Sequence, residues 1–158
     1  MLQRIRKAKT RKAVGGHFAI IASEYNPRYV DAMLTAAQAR LRAAGAKSVK
    51  VVRVPGAFEI PVVAARLAAS RTSPPDAIIC LGVILRGKTT HAPHIGEAIS
   101  QALARIQIQS GIPIIHEVLL LENHQQAAVR CLGRDHNRGA EAAETALAMK
   151  KVMQALED

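Results

Sequence analysis

Residues 77–85 read AIICLGVIL, nine positions of which all but one are apolar, between Pro74-Pro75 and the polar loop RGKTTH. A run of this length is far short of the ~20 residues that cross a bilayer. As a strand it exposes apolar side chains on both faces, so both faces must be covered. That requirement is met by a parallel sheet between two helical layers, and the remaining pattern agrees. Short β-branched runs stand at 17–22 (HFAIIA), 49–54 (VKVVRV) and 112–121 (IPIIHEVLLL). Between them are segments with helical spacing, at 28–44, 59–70 and 93–110, then 124–132 and 139–156. Val30, Met33, Leu34, Ala37 and Leu41 make one such stripe. Ala142, Ala143, Ala146, Met149, Val152, Met153 and Leu156 make another. The alternation predicts one doubly wound α/β domain, a three-layer α/β/α sandwich around a four-stranded parallel sheet of flavodoxin-like type.

Composition narrows the partners. The chain has 158 residues, 49% of them hydrophobic and only 3% aromatic, so the core must be aliphatic. The net charge is +10, but Arg4, Arg6, Lys7, Lys9, Arg11 and Lys12 supply six of those charges before residue 17. Removing that arm leaves +4 on the rest. We therefore read residues 1–16 as a basic, solvated arm and 17–158 as the domain. The concentration of charge in an arm, and the scarcity of aromatic rings for bases to stack on, argue against a nucleic-acid partner. No apolar stretch suits a membrane span, and no apolar core follows the N-terminal charges as in a secretory signal. Cys80 and Cys131 have no metal-type or redox-type spacing and read as free thiols, so a cytoplasmic location is expected.

In a sheet of this type ligands bind outside the carboxyl ends of the strands. The residues just past each strand are therefore the informative ones. After the first strand come Ser23, Glu24, Tyr25 and Asn26. After the second come Gly56, Ala57, Phe58 and Glu59, a close-approach glycine and then a carboxylate at a helix start. After the third comes Arg86-Gly87-Lys88-Thr89-Thr90-His91, and after the fourth Glu122-Asn123, with Arg130 about two helical turns on. Lys88, the Thr89 and Thr90 hydroxyls and the amides of a helix N-terminus can hold a phosphate. The segment is not a GxxxxGK[ST] loop, so it gives nucleotide hydrolysis no support. His91 has the intrinsic basicity to move protons near neutral pH. The alternative is a loop whose threonines cap the helix behind a merely exposed His91. His91 and His94 are three apart, but no further Asp, Glu or Cys completes a metal set, and no metal or other cofactor is expected.

PGAFEIP (55–61), LGVILRGKTTH (81–91), LLLEN with Arg130, and NRGAEAA (137–143), in that order and spacing, resemble the lumazine synthase family from about His17 to Leu156. The resemblance implies an enzyme of riboflavin biosynthesis, a transferase that condenses 5-amino-6-(D-ribitylamino)uracil with 3,4-dihydroxy-2-butanone 4-phosphate. The products would be 6,7-dimethyl-8-ribityllumazine, phosphate and water. By the same resemblance Tyr25 and His116 stack on the uracil, and Ala57, Phe58 and Glu59 hold the ribityl chain. Val83, Ile84 and Leu85 offer their backbone to the pyrimidine edge. Lys88, Thr89 and Arg130 bind the phosphate, and His91 is the catalytic proton carrier. The resemblance further implies a homo-oligomer, a pentamer or in some members an icosahedral shell of twelve pentamers, with sites between subunits. His116 and Arg130 would then come from the neighbour. It also admits riboflavin synthase as a partner.

The chain departs from the family pattern in several places. Ala92-Pro93-His94 follow His91 where an aromatic and an acid are usual. His116 and Glu117 stand where an aromatic and a glycine are usual, and Arg138 replaces a lysine. These departures motivate the alternative of a non-catalytic flavin- or lumazine-binding paralogue.

Overall fold

A computed structural model describes residues 15–157. Ten elements succeed one another: β1 (His17–Ser23), α1 (Pro27–Ala43), β2 (Ser48–Val54), a 3-10 turn (Ala57–Glu59), α2 (Ile60–Ala68), β3 (Ala77–Leu85), α3 (His91–Ser110), β4 (Ile114–Leu121), α4 (His124–Cys131) and α5 (Arg138–Ala155). The sheet has four strands in the order β2-β1-β3-β4, all parallel. The three-layer doubly wound architecture is the one that the alternating pattern predicts.

Each strand of the middle pair feeds two cores. Phe18, Ile20, Ile79 and Leu81 pack against Val30, Met33, Leu41 and Ala142 of α1 and α5. Ala19, Ile21, Ile78 and Cys80 pack against Ile60, Ala64, Ile99 and Leu103 of α2 and α3. The first seven residues of β3 are buried, as a strand covered on both faces requires. With so few aromatics, close backbone approach replaces bulk. Gly139, in the first turn of α5, lies where a Cβ would collide with the Met33 carbonyl of α1, so only glycine lets the two helices touch there.

Element edges shift by one or two residues from the sequence expectation, and three of the differences have a local reason. Helix α3 starts at His91, not at 93, because Pro93 falls in the first turn, where its missing N–H has no intrahelical acceptor. Strand β4 starts at Ile114, not at 112. The Ile112 amide donates to Ser110 Oγ and the Ile114 amide to Gln107 Oε1, so the amides here are taken by side chains, and only the Pro113 carbonyl reaches β3, by accepting the Ile78 amide. Gly15 and Gly16, read as the end of the arm, are already buried, and the Gly16 carbonyl accepts the Lys47 amide at 2.8 Å. The rest of the basic arm lies outside the described residues. No helix among the described residues is long and apolar enough to cross a membrane.

Candidate active site

At the carboxyl edge of the sheet the connections are stitched to one another. The Glu24 amide donates to the Val54 carbonyl at 2.7 Å, which aligns the exits of β1 and β2. Asn26 precedes α1 with a left-handed backbone (φ 56°), a conformation that Asn tolerates better than most side chains. Its Nδ2 donates to the Val83 carbonyl at 2.7 Å, tying this connection to β3. Arg53 closes the same corner with a 2.6 Å bond to Asp31 and a second bond to the Ser23 carbonyl. Tyr25 sits on this fixed corner with 72% of its surface exposed.

The segment after β2 is seated by one small contact. Gly82 of β3 leaves room for Ala57, whose Cβ would lie 3.3 Å from a Cβ at position 82. Ala57 is accordingly buried, while Phe58 is 61% exposed at the edge. Glu59 ends the 3-10 turn, and its carboxylate folds back over Gly56, within 2.8 Å of where a Cβ there would be. A side chain at position 56 would expel that carboxylate. Val83 is buried with its carbonyl engaged by Asn26, and Ile84 and Leu85 are half-buried, so these two present the more open backbone at the edge.

The loop 86–90 is exposed and runs straight into α3. Arg86 turns to Glu122 at 3.0 Å, while its amide extends the β3–β4 ladder to the Leu121 carbonyl. Arg86 is thereby directed to Glu122, and Lys88 is the other cation of the loop. Thr89 Oγ1 accepts the His91 amide at 3.4 Å, and Thr90 occupies the N-cap without a side-chain bond to the helix. The twenty-residue helix α3 therefore opens directly after the exposed Lys88 and Thr89, and His91, its first residue, is exposed as well. A helix N-terminus, with the positive end of its dipole, and a nearby ammonium can together cradle an anion. Of the two threonines only Thr89 meets a helix amide, and His91 is exposed, so the capping alternative stays open at this point.

His116 and Arg130 are held elsewhere. His116 pairs in register with Cys80, five positions before the end of β3, which places it about 16 Å back from the carboxyl edge. Its Nδ1 accepts the Val118 amide at 3.1 Å, so Nε2 carries the proton and donates to Ser100 Oγ at 2.7 Å. Ser100 in turn donates to the Gly96 carbonyl at 2.9 Å. Partial burial lowers the His116 pKa, and the ring is neutral at pH 7. Arg130 lies in the last turn of α4, on the other helical layer. Within one chain, then, Tyr25, Ala57, Phe58, Glu59, Ile84, Leu85, Lys88, Thr89 and His91 share the carboxyl edge, and His116 and Arg130 do not join them.

Two features escape a reading of motifs. One is the Ser100 and Gly96 relay behind His116. The other is the ion-pair cluster of Glu117 with Arg138 and Glu141. Glu117 Oε2 lies 3.4 Å from Arg138 Nε, and Arg138 Nη1 donates to Glu141 Oε2 at 2.8 Å. Burial pushes the Glu117 carboxyl up to about 7, against the opposing pull of Arg138. The thiols are poor nucleophiles, since burial pushes Cys80 up to about 12 and Cys131 up to about 11. Among the described residues no three His, Cys, Asp or Glu side chains gather as a metal site.

A doubly wound α/β domain with polar loops gathered at the carboxyl ends of its parallel strands belongs to the class that binds small molecules at that edge. Comparison with known proteins gives the particular family. A sequence model of 6,7-dimethyl-8-ribityllumazine synthase matches residues 15–154. The chain is 38% identical over 141 residues to the 6,7-dimethyl-8-ribityllumazine synthase of Stenotrophomonas maltophilia (strain R551-3), covering 88% of this chain and 90% of that protein. It is 39% identical, over the same shares, to the protein of that name from Xanthomonas oryzae pv. oryzae (strain PXO99A). The chain belongs to the lumazine synthase family, and it is an enzyme of the transferase class.

Proposed function

We propose that the chain condenses 5-amino-6-(D-ribitylamino)uracil with 3,4-dihydroxy-2-butanone 4-phosphate to give 6,7-dimethyl-8-ribityllumazine, phosphate and water. The observation that carries the reading is the loop 86–91, in which Arg86 is paired with Glu122 while Lys88, Thr89 and His91 lie exposed at the start of α3. An amine must add to a ketone, and the carbinolamine must then lose water, a step that an acid assists. Phosphate leaves after a proton is taken from the neighbouring carbon, a step that a base assists, and the resulting enol ketonises. The ribitylamino nitrogen then adds to that carbonyl and a second water leaves, which closes the ring. One imidazole, which can both give and take a proton, serves both of the assisted steps. Lys88, Thr89 and Arg130 would hold the departing phosphate, Arg130 by a bidentate pair. Glu59 would accept hydrogen bonds from the ribityl hydroxyls, and Tyr25 and His116 would lie against the ring. Holding both substrates in a reactive pose supplies the rest of the acceleration.

The separation of His116 and Arg130 from the cradle supports a site completed by a neighbouring copy. We therefore propose a cytoplasmic homo-oligomer built from pentamers. Exposed Phe58, Val62, Ile108 and Leu120 supply apolar surface for such contacts. The short connection between α4 and α5 is compatible with a closed shell, and sedimentation mass distinguishes the two. A riboflavin synthase would be the protein that takes up the product. Incubating the chain with both substrates should release phosphate and a fluorescent lumazine together. Binding of a lumazine without turnover would identify the non-catalytic paralogue instead.

A further inference from the structure

The proposed reaction leaves Glu117 unused, although its side chain is only 13% exposed. It lies in β4 on the face turned to α4 and α5, next to His116, which faces the other way. Glu117 Oε2 and Arg138 Nε are both buried without a hydrogen-bond partner, so their 3.4 Å contact is an ion pair alone. Arg138 opens α5, immediately after Asn137. The Asn137 side chain accepts the Gly139 and Ala140 amides, and its Nδ2 donates to the Cys131 carbonyl at 2.7 Å. Cys131 directly follows Arg130 at the end of α4. One unbroken path therefore runs from Glu117 through Arg138 and Asn137 to the helical turn that carries Arg130. The ionisable groups around Glu117 are Arg138 and Glu141 of α5, and Cys131 of α4, with Arg130 acting on Cys131. Its register partner on β3 is the uncharged Leu81.

We propose that Glu117 is a positioning residue for Arg130: ionised, it draws Arg138 and the α4–α5 junction towards β4, and protonated, it leaves Arg138 held by Glu141 alone and weakens phosphate capture. The inference rests on Arg130 being the phosphate ligand. Burial holds the Glu117 carboxyl near 7, so this pull is made and lost around neutral pH. A buried ion pair of this kind is a poor source of stability and a good source of geometry.

The test uses the full-length, assembled protein and measures inorganic phosphate binding by calorimetry at pH 6 and pH 8, for wild type and E117Q. At pH 8 the variant should bind phosphate more weakly, on the order of fivefold. At pH 6 the two should match, because the wild-type carboxyl is then itself protonated. With both substrates, the KM for the phosphorylated ketone should rise at pH 8 while kcat holds, and the melting temperature should not fall. Equal affinities at both pH values would overturn the proposal. So would an equal loss at both with a lowered melting temperature, which assigns Glu117 a packing role. Should E117Q fail to fold, hydrogen exchange in the first turn of wild-type α5 decides. After correction for intrinsic rates, protection should be greater at pH 8 than at pH 6, and unchanged protection overturns the proposal. Lumazine formation with a pH-independent E117Q effect sinks this inference alone. Absence of any phosphate binding sinks the role of Arg130 with it.

Discussion

The two edges of the sheet differ in opposite ways. The amino edge, below the end of α2, holds a cavity of about 490 Å³ lined by His17, Ser48, Lys50, Arg66, Ser70 and Pro75. The carboxyl edge holds the cradle, the exposed Tyr25 and Phe58, and the loop that leads to His91. Volume and chemistry are thus separated. The hollow lies where α2, packed on β1 and β3, leaves the start of the edge strand β2 uncovered. The carboxyl edge, by contrast, brings side chains from three connections together through bonds that have no packing purpose, such as Asn26 to Val83 and Arg86 to Glu122. Convergence of polar groups is the better guide to function here than the size of a hollow.

Substitutions at the two edges should separate accordingly. The largest effect is expected for His91→Ala, a loss of roughly 10²- to 10⁴-fold in kcat with substrate binding nearly retained, read by steady-state kinetics and direct binding. Arg130→Ala should come next, raising the KM for the phosphorylated ketone by about 10- to 100-fold with a smaller change in kcat. For E117Q the additional expectation concerns stability. In the unfolded chain this carboxyl ionises near 4.5, and in the fold near 7. The native state therefore retains the proton longer, and stability falls as pH rises between those values. The ionised group costs up to about 3 kcal/mol above pH 7. E117Q should remove that slope and melt higher than wild type at pH 8, as thermal scans at pH 5 and 8 would show. The smallest effect is expected at the amino edge, where Lys50→Ala and Arg66→Ala should change kcat/KM by less than about twofold. A loss there as large as that of Arg130→Ala would erase the contrast between the edges.

Much of this contrast is legible in the sequence. Strand and helix order come from the alternation of short β-branched runs with helical stripes, and the buried run 77–85 fixes the parallel sheet. The cradle is legible because its cation, hydroxyls and imidazole are contiguous in the chain. Groups that meet only through packing are harder to find. Glu117 and Arg138 both stand out as departures from the family pattern, but twenty-one positions separate them, and only the α5–β4 contact shows that one answers the other. Ser100 behind His116 is hidden likewise, since a serine in mid-helix carries no signal until the strand beside it is placed. The start of α3 is misplaced by two residues because a proline looks like a boundary, whereas in the first turn it costs the helix nothing.

The central claim is that the carboxyl-edge cradle and His91 perform the condensation. The most direct measurement tracks phosphate release and lumazine fluorescence together when full-length protein meets both substrates, with H91A run alongside. The account predicts one phosphate for each lumazine, and a rate in H91A at least a hundredfold lower, about the smallest loss expected for a removed proton carrier. Lumazine formed equally fast by H91A, or no lumazine from the wild-type assembly at saturating substrate, would contradict it.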